Sequence, residues 1–172
     1  MAVAGFHINT GIPDEYKRLY VGLLSGLILI WLTALGGGLY GSSQPWITEW
    51  QHQMFHMLCH QDPDRSFWIG GRPMAVCARC FGIYSGLLGT WLCVPFLRRF
   101  ITFMGNITSW ALAGALALNF IDFTGNAMHF WINNNISRCI LGLLLGITAV
   151  LYIASEFLPI TQDIKGTFYG NE

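Results

Sequence analysis

Charge is what this sequence has least of. Only 10% of its 172 residues are Asp, Glu, Lys or Arg, against roughly 25% in an ordinary soluble domain. Nine basic and nine acidic residues cancel to a formal charge of zero. Such a chain has no basic field to gather phosphates, and no nucleic-acid partner is expected. Residues 1–18 lack an apolar core and contain Pro13, so no cleavable signal peptide is expected ahead of the first apolar run. What fills the space is apolar: 53% of the chain is hydrophobic. A length of 172 residues is that of one domain.

The apolar content falls into four runs. Leu19 to Tyr40 carries no charge over 22 residues, enough to cross a hydrocarbon core of ~30 Å as a helix. Phe81 to Leu97 is closed by Arg98 and Arg99, and its Gly82, Gly86 and Gly89 suit close helix packing. Ile107 to Ile121 is shorter and extends at both ends, and Ile136 to Leu158 contains Gly142 and Gly146, a small-xxx-small pair. The reading is an all-α membrane protein, one integral membrane domain over 1–172, with transmembrane helices at about 19–40, 79–97, 104–122 and 136–158. Lys17, Arg18, Arg98, Arg99 and Lys165 fall on one side of such a chain, and Arg65, Arg72, Arg79 and Arg138 on the other. That bias places both termini in the cytoplasm and the 41–80 loop on the outer face.

The loop between the first two spans is longer than the roughly 2–8 residues a helix connection needs. Pro45 suits the first position of a helix. From Trp46 onward Ile47, Trp50, Met54, Phe55 and Leu58 recur every three or four residues, which predicts an amphipathic helix in the membrane interface. This helix would be both lid and ligand donor. On it His52, His56 and His60 would share one face, with Cys59 three residues after His56. Cys77-Ala78-Arg79-Cys80 then leads into the second span. Two close pairs of this kind read as half-sites of a tetrahedral zinc centre, formed by Cys59, Cys77, Cys80 and either His56 or His60. His52 reads as a surface or interfacial histidine, and Cys93 and Cys139, inside spans, as small apolar residues.

The same CxxC permits thiol chemistry, since a helix N-terminus and Arg79 favour the thiolate. Membrane thiol oxidases of the four-helix type place a CxxC there and pass electrons to a quinone. The chain resembles them in that feature alone and lacks a second cysteine pair before the last span. Among the charges, Asp62, Asp64 and Arg72 read as a solvated loop with local ion pairs, while Arg65 and Arg79 beside the ligands suit an anionic head group or phosphate. Asp122 and Arg138, near the ends of adjacent spans, read as a pair. With Asn135 they are further candidates for substrate contact.

These residues resemble a family of small bacterial and archaeal membrane proteins known as domain of unknown function 2085. Its pattern is roughly CHQxPxRSF, then PVCARCxGIYxG, DGxxQ and NxxRxxxGxxxG. Here stand Cys59-His60-Gln61, Pro63, Arg65-Ser66-Phe67, Cys77 to Cys80, Gly82-Ile83-Tyr84, Gly86, Asp122, Asn135, Arg138, Gly142 and Gly146. Ala75 replaces a proline, and Phe123 and Asn126 replace the Gly and Gln of the third element. The resemblance implies the fold, a prokaryotic inner membrane, and His60 as fourth ligand, since His56 lies outside the motif. It brings no activity with it. The expected function is a Cys/His zinc-type site at the membrane surface, structural or supporting chemistry on a lipid-like substrate. The alternatives are a quinone-linked thiol-disulfide oxidoreductase and an accessory subunit of a larger membrane complex.

Overall fold

Each apolar run becomes a helix. The computed structural model describes residues 14–36, 49–104 and 107–157. The expected helix start at Pro45, with Trp46 and Ile47, the end of the first run at 37–40, and Lys165 lie outside the described residues. The long helices are α1 (Asp14–Ala34), α3 (Ala78–Met104), α4 (Ile107–Ala127) and α5 (Asn135–Phe157). All four are long and apolar enough to cross a membrane. Their outward side chains, among them Leu29, Phe96, Phe103, Trp110 and Phe120, are exposed apolar groups, as lipid contact requires. The third span ends at Ala127 instead of 122, which puts Asp122 within the helix and not at its end.

The helices pack in the order α1, α3, α5, α4, with α3 against α5 the most extensive contact. Glycine makes that contact possible. A Cβ on Gly82 would lie 2.1 Å from the Cys139 carbonyl oxygen, and one on Gly86 2.4 Å from that of Leu143. Reciprocally, Gly142 faces the Arg79 carbonyl at 2.1 Å and Gly146 that of Ile83 at 2.4 Å. No real side chain tolerates such distances, so the backbones touch only because these positions are bare. Gly89 is different: nothing among the described residues lies within 4 Å of its Cβ position, so it does not share in the α3–α5 contact.

The α1–α3 contact is aromatic. Tyr20 and Trp91 stack with centroids 5.6 Å apart, the Tyr20 hydroxyl donates to the Trp91 carbonyl at 3.0 Å, and the Trp91 indole donates back to the Tyr20 carbonyl at 3.3 Å. On the other flank, Asn119 of α4 donates to the Leu141 carbonyl of α5 at 3.0 Å. Thr108 and Ser155 share a hydrogen bond of 2.9 Å. These buried donors meet acceptors on the neighbouring helix, as a low-dielectric surrounding favours.

Between α1 and α3 the chain folds as short pieces: α2 (Trp50–Phe55), a 3-10 turn (Pro63–Arg65), and the antiparallel strands β1 (Trp68–Ile69) and β2 (Arg72–Pro73). The strands were not expected. Gly70 and Gly71 join them with φ of 58° and 78°, and only glycine takes two such values in succession cheaply. The expected amphipathic helix is six residues long and stops well short of Cys59. The segment packs onto the helix ends through Phe55, Cys59, Ala75 and Val76 against Ala34, with Phe81 and Tyr84 beside them.

Candidate metal centre and its cavity

Because α2 ends at Phe55, the three histidines do not share a face. His52 is 1% exposed, whereas His56 and His60 are exposed. His52 is therefore a core residue, not a surface one. Burial holds its pKa below the ordinary histidine value, against the opposing pull of Glu49 and of a hydrogen bond at the Pro73 backbone. Arg72 makes an ion pair, as expected, but with the buried Glu49 and from a half-buried position instead of a solvated one. The reason is the β-turn, which directs β2 back over α2.

Past α2, Leu58 and Cys59 both donate their backbone N–H to the Phe55 carbonyl at 2.9 Å, and the Cys59 thiol points inward, 8% exposed. Gln61 follows with φ of 51°. Its side-chain amide donates to the Ala75 carbonyl at 2.9 Å and to that of His52, tying α2, the turn and the approach to α3 together. Asp62 caps the 3-10 turn by accepting from the Asp64 N–H at 3.1 Å, and Ser66 donates to the Asp62 carbonyl at 2.9 Å. The strands then return the chain so that Cys77 immediately precedes α3 and Cys80 lies in its first turn.

This path brings three sulfurs together. Cys59, Cys77 and Cys80 have their Sγ atoms all within 4.8 Å of one another. The Cys77 N–H donates to the Cys59 sulfur at 3.2 Å. Hydrogen bonds from the Cys59 and Cys80 thiols hold Cys77 well below the usual thiol range, while sharing with Cys77 pushes Cys59 up. Three sulfurs on a zinc ion at ~2.3 Å lie about 3.8 Å apart at the corners of a tetrahedron. The cluster fits that geometry. Neither His56 nor His60 belongs to the sulfur group.

The cysteines form one wall of a cavity of about 400 Å³. Arg65, Arg79 and Arg138 supply its cationic part, His60 and Asp62 stand with them, and Leu58, Phe123 and Ala127 make an apolar side. Asp122 does not pair with Arg138 as expected. Its two carboxylate oxygens take Arg79 from α3 and Asn133 from the turn before α5. Helix position decides this. Asp122 sits more than a turn inside α4, facing the start of α3, whose close approach to α5 carries Arg79 inward. Arg65 pairs with Asp62 at 3.1 Å. Arg138 is 8% exposed and donates to the side-chain amide oxygen Oδ1 of Asn135 at 3.5 Å. Asn135 itself donates to the Asp64 and Ser66 carbonyls at 3.3 and 3.1 Å, so it fastens the loop to α5 and sits beside the cavity.

Residues 59–152 match the family described as predicted membrane protein, domain of unknown function 2085. The chain belongs to that family. It is 39% identical over 106 residues to an uncharacterised protein of Methanocaldococcus jannaschii, covering 62% of this chain and 67% of that one. An uncharacterised protein of Methanothermobacter thermautotrophicus is 35% identical over 95 residues, 54% of this chain and 81% of the other. No solved structure matches. The matched segment of this member of family 2085 begins at Cys59 and takes in every cavity residue except Leu58. Gln61 and Asn133 were not read from the sequence as site residues. Gln61 stands in the Cys-His-Gln motif, which was a signal available to find it; Asn133 sits in a run of three asparagines that gives none.

Proposed function

We propose that this family 2085 protein is an integral membrane protein holding a zinc-type ion on Cys59, Cys77 and Cys80 and supporting chemistry on a lipid-like substrate in the adjoining cavity. The observation that carries the reading is the mutual approach of the three sulfurs within 4.8 Å, drawn from positions 18 residues apart, where a buried set of free thiols gains nothing from convergence. A zinc ion with three protein ligands supplies Lewis acidity and lowers the pKa of a bound water.

The chain's own groups suit this. The Cys77 N–H steadies the Cys59 sulfur, and the start of α3 favours a thiolate at Cys77. His60 lines the cavity from an exposed position, within reach of the reading in which it closes the shell as fourth ligand. The apolar side accepts a chain, and the arginines a charged head. We place the site at the outer face of a prokaryotic cytoplasmic membrane, with both termini inside, on the bias of Lys and Arg between the two sides.

Metal analysis of the detergent-purified protein, beside a thiol count under denaturing conditions, tests the reading. About one zinc per chain is expected for a three- or four-ligand site, lost in Cys59→Ser, Cys77→Ser and Cys80→Ser and kept in Cys93→Ser and Cys139→Ser. Retention in His60→Ala marks a three-ligand site, and loss marks His60 as the fourth ligand. Absence of metal, with two thiols missing until a reductant is added, overturns the reading in favour of a quinone-linked thiol oxidoreductase.

A further inference from the structure

The cavity's three arginines differ in their company. Arg65 has Asp62 at 3.1 Å, and Arg79 has Asp122. Arg138, the most buried of them at 8% exposure, makes no ion pair among the described residues; its hydrogen bond goes to Asn135 at 3.5 Å. A guanidinium carries five N–H donors and does not lose its proton in proteins. Within a span, an ionised group without a counter-charge is costly, and its neighbours normally supply one. Here the surroundings are mixed: Arg65 and Arg79 line the same space, while Asp122, already held by Arg79 and Asn133, and Cys77 act on Arg138 from farther off.

We propose that this cavity binds the phosphate group of an amphiphile, with Arg138 as its principal contact and Arg65 at the rim. Three features select that chemistry. A planar donor fork suits a phosphate oxygen pair. Two further guanidiniums surround the same volume of about 400 Å³, which is within the range of small-molecule pockets. Leu58, Phe123 and Ala127 also line the cavity, and Leu58 and Phe123 are themselves exposed, so an alkyl chain can leave the pocket along apolar surface. Asn135 is a positioning residue here: it accepts from Arg138 while holding the Asp64–Ser66 backbone in place. The inference deepens the lipid-like reading above but does not need the metal, because it stands on the arginines.

The test is calorimetric titration of the full-length protein in a non-ionic detergent, with inorganic phosphate in one arm and dihexanoyl phosphatidic acid in the other. Saturable 1:1 binding is expected, weakened by about tenfold or more in Arg138→Gln, the scale of one lost charge-assisted hydrogen bond, and partly restored in Arg138→Lys. A clear preference for the phosphatidic acid identifies a lipid head group, and equal affinities identify free phosphate. Arg65→Gln, at an exposed position, weakens binding by a smaller factor and guards against misfolding of the buried variant. Metal content is read in the same samples. No saturable binding of either probe, or unchanged binding in both arginine variants, overturns the proposal. Loss of metal in Arg138→Gln without phosphate binding by the parent protein shows instead that Arg138 only offsets the thiolates, and that also overturns it.

Discussion

The most consequential single side chain outside the cysteines is Asp122. It is buried and takes both Arg79 and Asn133, joining α3, α4 and the start of α5. Asp122→Ala leaves the partly buried Arg79 without its partner, and removal of one member of a fully buried pair costs about 3–5 kcal/mol, an upper bound here. Chemical denaturation in mixed micelles is expected to show that loss, with much of it recovered in the Arg79→Gln, Asp122→Asn double variant. His52 gives a pH dependence of definite sign. Its folded pKa lies below the ordinary 6.5, so the unfolded chain takes up the proton first on acidification. Stability is fully present above the ordinary value and is lost as pH falls below it toward the folded pKa. Melting temperatures measured from about pH 7.5 to about pH 5 are expected to decline in the parent protein and to decline less in His52→Gln, with Glu49 and Arg72 unchanged beside it.

At the scale of elements, the glycine seam between α3 and α5 makes the sharpest forecast. Gly86→Ala forces a Cβ to within 2.4 Å of the Leu143 carbonyl, and overpacking of this kind typically costs about 1–3 kcal/mol. Gly89→Ala meets nothing among the described residues and is expected to be neutral or slightly stabilising, because alanine restricts the unfolded chain. Thermal melts of the two variants side by side distinguish a seam from a general intolerance of alanine. The spans and the seam glycines were legible in the sequence because both signals are local: an uncharged run of sufficient length, and small residues four apart. The CxxC was legible for the same reason. The histidine row was not, since its alignment needed α2 to continue beyond Phe55, and an apolar periodicity does not report where a helix stops. The Arg79–Asp122 pair joins residues 43 positions apart. That partnership follows from how deeply α3 and α5 nest, which no spacing encodes.

For the whole molecule, the four apolar helices and the family membership make this a membrane protein, and its sidedness is open to direct measurement. With the termini inside, a tag ahead of α1 is expected to resist protease added to intact spheroplasts, while a bulky maleimide reaches an engineered cysteine at Gly71 in the β-turn; the reverse pattern inverts the orientation. The seam has a last consequence at this scale. Cys80 and Arg79 stand at the head of α3, and Arg138 at the head of α5. Backbones that interlock as closely as these do not slide past one another in small steps, since the next register would set side chains against bare carbonyls. The span between Cys80 and Arg138 is therefore a fixed gauge. A guest must match that gauge, and any accommodation comes from the Cys59–Val76 segment, which Asn135 fastens to α5 and whose Cys59, Ala75 and Val76 pack against Ala34. The cavity is built like a vise with one immovable jaw.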